Sequence, residues 1–179
     1  MAKTLGNVID PNDIIKLHGT DALRFTLVFM SSATKDIKID TNSFKIGRAL
    51  VTKLWNAARF ITMKTIKTTP PIATDESKII ELKLAHTKVL CKKLIEQYDF
   101  NGYARTIYSF FFDEFCSVYL EKTKNDHSVE TFKALYETFM GIIKLFHPVI
   151  PFVTEKIYQK FKADDSKYPF KHSIMIEDF

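Results

Sequence analysis

The chain has 179 residues, 46% of them apolar and 26% charged, with a formal net charge of +5. That composition fits a folded chain with one generous core or two small ones. No apolar run approaches the ~20 residues that cross a bilayer, and Met1 is not followed by a signal-peptide pattern, so the cytosol is the expected compartment.

Asp10 before Pro11 marks a helix start, with Asp13 in its first turn facing the positive end of the dipole. Gly19 stops that helix. Thr20 and Asp21 begin a second, running through Ala22, Leu23, Phe25, Leu27 and Val28 to about Ser32. The segment from Lys35 to Asp40 alternates and reads as extended, and the expected domain boundary lies there. Asp40 or Thr41 can cap a long helix that ends near Thr68, ahead of Pro70 and Pro71.

Three more long helices are predicted, from Thr74 to about Tyr98, from Tyr103 to about Lys122, and from about Ser128 to Phe146. Asn101-Gly102 is read as the break before the second of these. His147-Pro148 ends the third, and Pro151 opens a last helix through Phe161. The tail from His172 to Phe179 has the alternation of one short strand. The expected fold class is therefore all-α.

Charge is concentrated in one place. Between Thr41 and Thr74 there is no Asp or Glu, yet Lys45, Arg48, Lys53, Arg59, Lys64 and Lys67 all fall there. At 100° per residue these cations and Asn56 share an arc of roughly 160°. Leu50, Leu54, Ala57, Ala58 and Ile61 take the opposite side. One face is thus predicted to bury itself while the other presents a basic stripe, with Phe60 and Met63 between the charges. Such a stripe can neutralise phosphates, and a neighbouring ring can stack on an unpaired base. The same pattern also suits a plain solvated helix face.

The aromatic run Tyr108, Phe110, Phe111, Phe112, Phe115 and Tyr119 reads as core packing, since so many exposed rings would invite aggregation. Asp113 and Glu114 diverge on a helix and make no acid–base pair. The five histidines lack ligand or triad spacing, and Cys91 and Cys116 lack a CxxC pair, so no metal site is expected and the thiols read as buried. No nucleophile elbow, Walker loop or dinucleotide fingerprint is present.

Met1-Ala2-Lys3-Thr4-Leu5-Gly6-Asn7, continuing through Val8-Ile9-Asp10-Pro11 and Asp21-Ala22-Leu23-Arg24-Phe25-Thr26-Leu27, resembles the end of the lysine-rich signature loop of class I aminoacyl-tRNA synthetases and the segment after it. Ala2 departs from the serine usual there. Lys53-Leu54-Trp55-Asn56-Ala57-Ala58-Arg59-Phe60, Phe112-Asp113-Glu114-Phe115-Cys116, His147-Pro148 with Pro151-Phe152-Val153-Thr154-Glu155, and Ser173-Ile174-Met175 are similar to the valine–tRNA ligase family in particular.

The resemblance implies a connector over residues 1–38 and an anticodon-binding helical bundle with a short extension over 39–179. It also implies that Lys3 is the loop lysine that stabilises charge growing on pyrophosphate. Its implied partner is valine tRNA, with Arg48, Lys53, Asn56, Arg59, Lys64 and Lys67 facing the anticodon stem-loop. The full-length enzyme would use ATP with Mg. This segment would hold no cofactor, be monomeric and be inactive alone. The same region of an isoleucine– or leucine–tRNA ligase, or a free-standing RNA-binding module, are the competing readings.

Overall fold

A computed structural model describes residues 9–31, 39–64, 75–164 and 170–178. The first helix, α1 (Pro11–His18), begins where Asp10 accepts a hydrogen bond from the Asn12 N–H at 2.8 Å. It stops at Gly19, whose φ of 93° a side chain would resist. The second, α2 (Thr20–Met30), follows without a loop. Next comes α3 (Lys45–Met63), shorter at both ends than its periodicity predicts. A turn over residues 40–43 precedes α3, closed by Asp40, which accepts from the Ser43 N–H at 2.8 Å. The predicted extended segment up to residue 38 lies outside the described residues.

After α4 (Asp75–Glu96) the chain turns earlier than expected. Tyr98 takes a φ of 59°, and Asp99 caps α5 (Phe100–Ser109) by accepting from the Gly102 N–H at 2.8 Å. Asn101-Gly102 is therefore the first turn of the helix and not the break before it. A side chain at Gly102 would collide with the cap, since its Cβ would lie 2.8 Å from Asp99 Cγ.

A π-helical segment, Phe110–Leu120, continues α5 directly. Its wider i→i+5 bonding brings positions four and five apart onto one side. Phe110, Phe111, Phe115, Cys116 and Tyr119 are all buried there. The rings are core, as expected, but on a different helical pitch.

Helix α6 (Val129–Phe146) is the centre of the bundle. Ser128 caps it, accepting from the Thr131 N–H at 3.3 Å. Ala134, Leu135, Phe139, Ile143 and Phe146 are buried on it, and Gly141 admits Leu84 of α4. Phe111 meets Phe146 edge-on at 5.9 Å, and Phe115 stacks on Phe139 at 5.8 Å. Phe25 of α2 joins the same cluster, so the segment before residue 38 shares its core with the helices after it.

Two residues one turn apart on α2 hold the corner between α6 and α7 (Pro151–Asp164). Arg24 donates to the carbonyls of Val149 (2.9 Å) and Pro148 (3.2 Å). Asp21 accepts from the α7 N–H groups of Phe152 (3.3 Å) and Val153 (2.6 Å). The cation meets carbonyls and the anion meets a helix N-terminus, so both charges complement the backbone. Burial nevertheless pushes the Asp21 carboxyl above its ordinary value.

The tail is a 3-10 turn, Ile174–Ile176, and not the predicted strand. No neighbouring strand exists among the described residues for it to pair with. Glu155 of α7 instead accepts from Ser173 Oγ (2.8 Å) and the Ile174 N–H (3.2 Å), which buries Ile174 and leaves Met175 outside.

Candidate nucleic-acid interface

The two faces of α3 separate as the periodicity predicts. Leu50, Leu54, Ala57, Ala58 and Ile61 are buried, while Lys45, Arg48, Lys53, Asn56 and Arg59 are exposed. Trp55 and Phe60 lie between, half-buried against the core. Sequence periodicity suffices here because one solid wall, built by α2, α6 and α7, takes the apolar side.

Within the stripe the cations do not all have the same freedom. Arg48 Nη1 donates to the carbonyl of Leu17 at 2.7 Å, tying α3 to the end of α1. Lys64 Nζ donates to the carbonyls of Thr123 (2.8 Å) and Lys124 (3.1 Å), past the π-helical segment. It also lies 5.5 Å from the centre of the Phe60 ring. Lys64 is half-buried, and that burial lowers the pKa of its ammonium, against the attraction of Asp126.

The side chains of Lys45, Lys53, Asn56 and Arg59 make no hydrogen bond or ion pair among the described residues. Lys45 belongs to the stripe, although it was not among the six residues singled out from the resemblance. Lys3 and Lys67 lie outside the described residues.

The start of α3 is unusual electrostatically. It has no acidic residue in its first turn and no side-chain cap, yet Lys45 and Arg48 sit there, where the helix dipole disfavours cations. A polyanion along this side would relieve both. No group of three or more His, Cys, Asp or Glu able to hold a metal lies among the described residues. No described helix is long and apolar enough to cross a membrane.

Comparison with known proteins gives two family matches. Residues 77–179 match the anticodon-binding domain of tRNA ligases, and residues 1–40 match class I tRNA synthetases of the I, L, M and V group. Among curated relatives, the chain is 36% identical to a valine–tRNA ligase of Thermotoga maritima, over 89% of this chain and 19% of that protein. It is 36% identical to one of Pseudothermotoga lettingae over 100% of this chain and 21% of that protein. It thus spans about a fifth of the length of these relatives. Among solved structures, a LeuRS–tRNA–LeuAMS ternary complex from Agrobacterium radiobacter K84 aligns with a TM-score of 0.68 at 21% identity, over 89% of this chain and 20% of that one. That likeness is one of fold. With more than half its length inside the first match, the chain belongs to the family of anticodon-binding domains of tRNA ligases.

Proposed function

We propose that this chain is the tRNA-binding part of a valine–tRNA ligase, and that the outward face of α3 lies along the anticodon stem-loop of valine tRNA. The observation that carries the reading is the set Lys45, Lys53, Asn56 and Arg59, exposed on one face and without a protein partner among the described residues. Cations left free in this way are available to release counterions from phosphates, and Asn56 can bond the edge of an unpaired base. The relatives at 36% identity, valine–tRNA ligases by name, support the choice of amino acid.

On this reading residues 1–38 are the connector from the catalytic body and 39–179 the anticodon-binding bundle, working as a monomer in the cytoplasm. Lys3 and Lys67 keep the roles implied by the resemblance, toward ATP and tRNA respectively. The parent enzyme would attach valine to its tRNA using ATP with Mg, and this segment alone would form no valyl-adenylate. Arg48 and Lys64, bonded to carbonyls, set the position of α3 and add to its field.

A binding titration tests the reading. The chain is titrated with valine tRNA and with a copy whose anticodon is swapped, at two salt concentrations. We expect the swap to weaken binding by about tenfold or more, the cost of losing a base contact, and higher salt to weaken both. Equal affinity for the two RNAs would remove anticodon recognition from this chain.

A further inference from the structure

Among the described residues, α4 carries a second face without a partner. It packs on α5, the π-helical segment and α6 through Ile80, Thr87 and Cys91. Roughly opposite on the helix, by 100° per residue, stand Ile79, Leu82, His86 and Val89. Their spacing of three, four and three is that of a heptad seam. Leu82 and Val89 are each 71% exposed and Ile79 49% exposed. A concavity flanks the seam on each side. One of about 550 Å³ is lined by Leu82, His86, Leu90 and Phe110. The other, about 560 Å³, is lined by Val89, Lys92, Ile95 and Glu96. A ridge between two grooves is the shape another helix packs against.

Charge selects the occupant. The heptad positions directly beside this seam hold Lys78, Lys83, Ala85, Leu90 and Lys92, while the carboxylates Glu114 and Glu96 stand farther out in the two concavities. Lys83 is paired with Glu114, but Lys78 and Lys92 have no ion pair among the described residues. Burial and the neighbouring Lys144 also lower the pKa of half-buried Lys88. A second copy of α4, parallel or antiparallel, would set lysines against lysines. RNA would meet a ridge that is aliphatic at Ile79, Leu82 and Val89, with the His86 imidazole as the one ring of the seam, which is a poor stacking platform. The helices α1 and α2 pack on each other, α3, α5 and α7, and leave the seam open.

We propose that this seam docks an amphipathic helix of a separate protein, with an apolar stripe seated on Ile79, Leu82 and Val89 and acidic residues flanking it. The recognition is helix against helix, with aliphatic contact giving affinity and the lysine flanks choosing the partner.

The probe is a synthetic heptad peptide of about four heptads, Leu at the seam positions and Glu at the flanks, which its own repulsion keeps unfolded and monomeric at neutral pH. It is titrated into the 179-residue chain, with binding read by calorimetry and helix gain by circular dichroism. We expect saturable binding with Kd below ~10 µM at about 0.15 M salt, and none for a peptide with Lys at the flanks. Leu82→Glu with Val89→Glu, both at exposed sites, should weaken binding by at least about tenfold without lowering Tm. Lys53→Ala with Arg59→Ala should leave it unchanged. Absence of binding, equal binding by the Leu82/Val89 variant, or loss with the Lys53/Arg59 variant overturns the proposal. So does self-association of the chain that Leu82→Glu abolishes, or displacement of the peptide by tRNA.

Discussion

Arg48 donates to the carbonyl of Leu17 at 2.7 Å, so a cation in the first turn of α3, on its basic face, also fastens that helix to α1. Lys64 does the same at the far end with Thr123 and Lys124. A cation already satisfied by carbonyls releases fewer counterions when RNA arrives. Replacing Lys53 and Arg59 by Ala should lower the slope of log affinity against log salt for tRNA by about two, one per lost phosphate contact. Lys64→Met, which keeps the stem over Phe60, should leave the slope nearly unchanged and cost about 1 kcal/mol of stability. If Lys64→Met moves the slope as far as either free cation does, the division of roles is wrong.

Gly47 sits where α3 touches the backbone of α2. A Cβ there would lie 2.8 Å from Ala22 Cα and would also collide with the Ala22 carbonyl. Alanine normally improves a helix interior by about 1 kcal/mol over glycine. Here the obstacle is backbone, which cannot rotate aside, so overpacking outweighs propensity. We expect Gly47→Ala to destabilise the chain by about 3 kcal/mol in denaturant titration. Gly141→Ala meets only the side chain of Leu84, 2.7 Å away at Cδ2, which can swing. Its cost should be smaller, and the reverse order would contradict the packing described.

What was legible in the sequence is what local chemistry decides. The Asp10–Pro11 start and Gly19 stop of α1 depend on neighbours in the chain, and the buried side of α3 depends on period alone. The π-helical segment was invisible because Phe111, Phe115 and Tyr119, four apart, face the core on either pitch. Asn101-Gly102 looked like a break, but Asp99 supplies the cap and needs glycine three residues on to make room. The anchoring of Arg48 and Lys64 involves carbonyls 31 and 59 residues away, and no periodicity reports those.

Cys91 and Cys116 are 0% and 4% exposed, and burial pushes their thiols up to about 12 and about 11. Thiolate, the reactive form, is therefore scarce at neutral pH and unreachable in the folded chain. Alkylation at pH 8 should be at least about a hundredfold slower in buffer than in denaturant, with both sites released in the same unfolding transition. Rapid labelling of either thiol in the native chain would show that the α4–α6 core opens far more readily than its packing implies.

The tail is latched by Glu177, whose side chain is 8% exposed. Its carboxylate accepts from Tyr158 Oη at 2.5 Å, the Lys171 N–H at 3.1 Å and Lys144 Nζ at 3.0 Å. Burial alone would raise its pKa, but these donors together outweigh burial and hold it below the ordinary 4.5. A carboxyl depressed in the folded state adds stability that is complete above 4.5 and fades as pH falls through the folded value. Glu177→Gln should thus cost about 2 kcal/mol at neutral pH, because it leaves Lys144 nearly buried without a counter-charge. The difference between the two proteins should shrink as pH falls below 4.5 and through the depressed folded value. Asp21, shifted the opposite way, gives an opposite trend. It is present in both proteins and cancels in the difference. Denaturation midpoints of the pair at stepped pH measure this directly, and a gap that stays constant as pH falls would mean that packing of Ile174, and not the Glu177 charge, holds the tail.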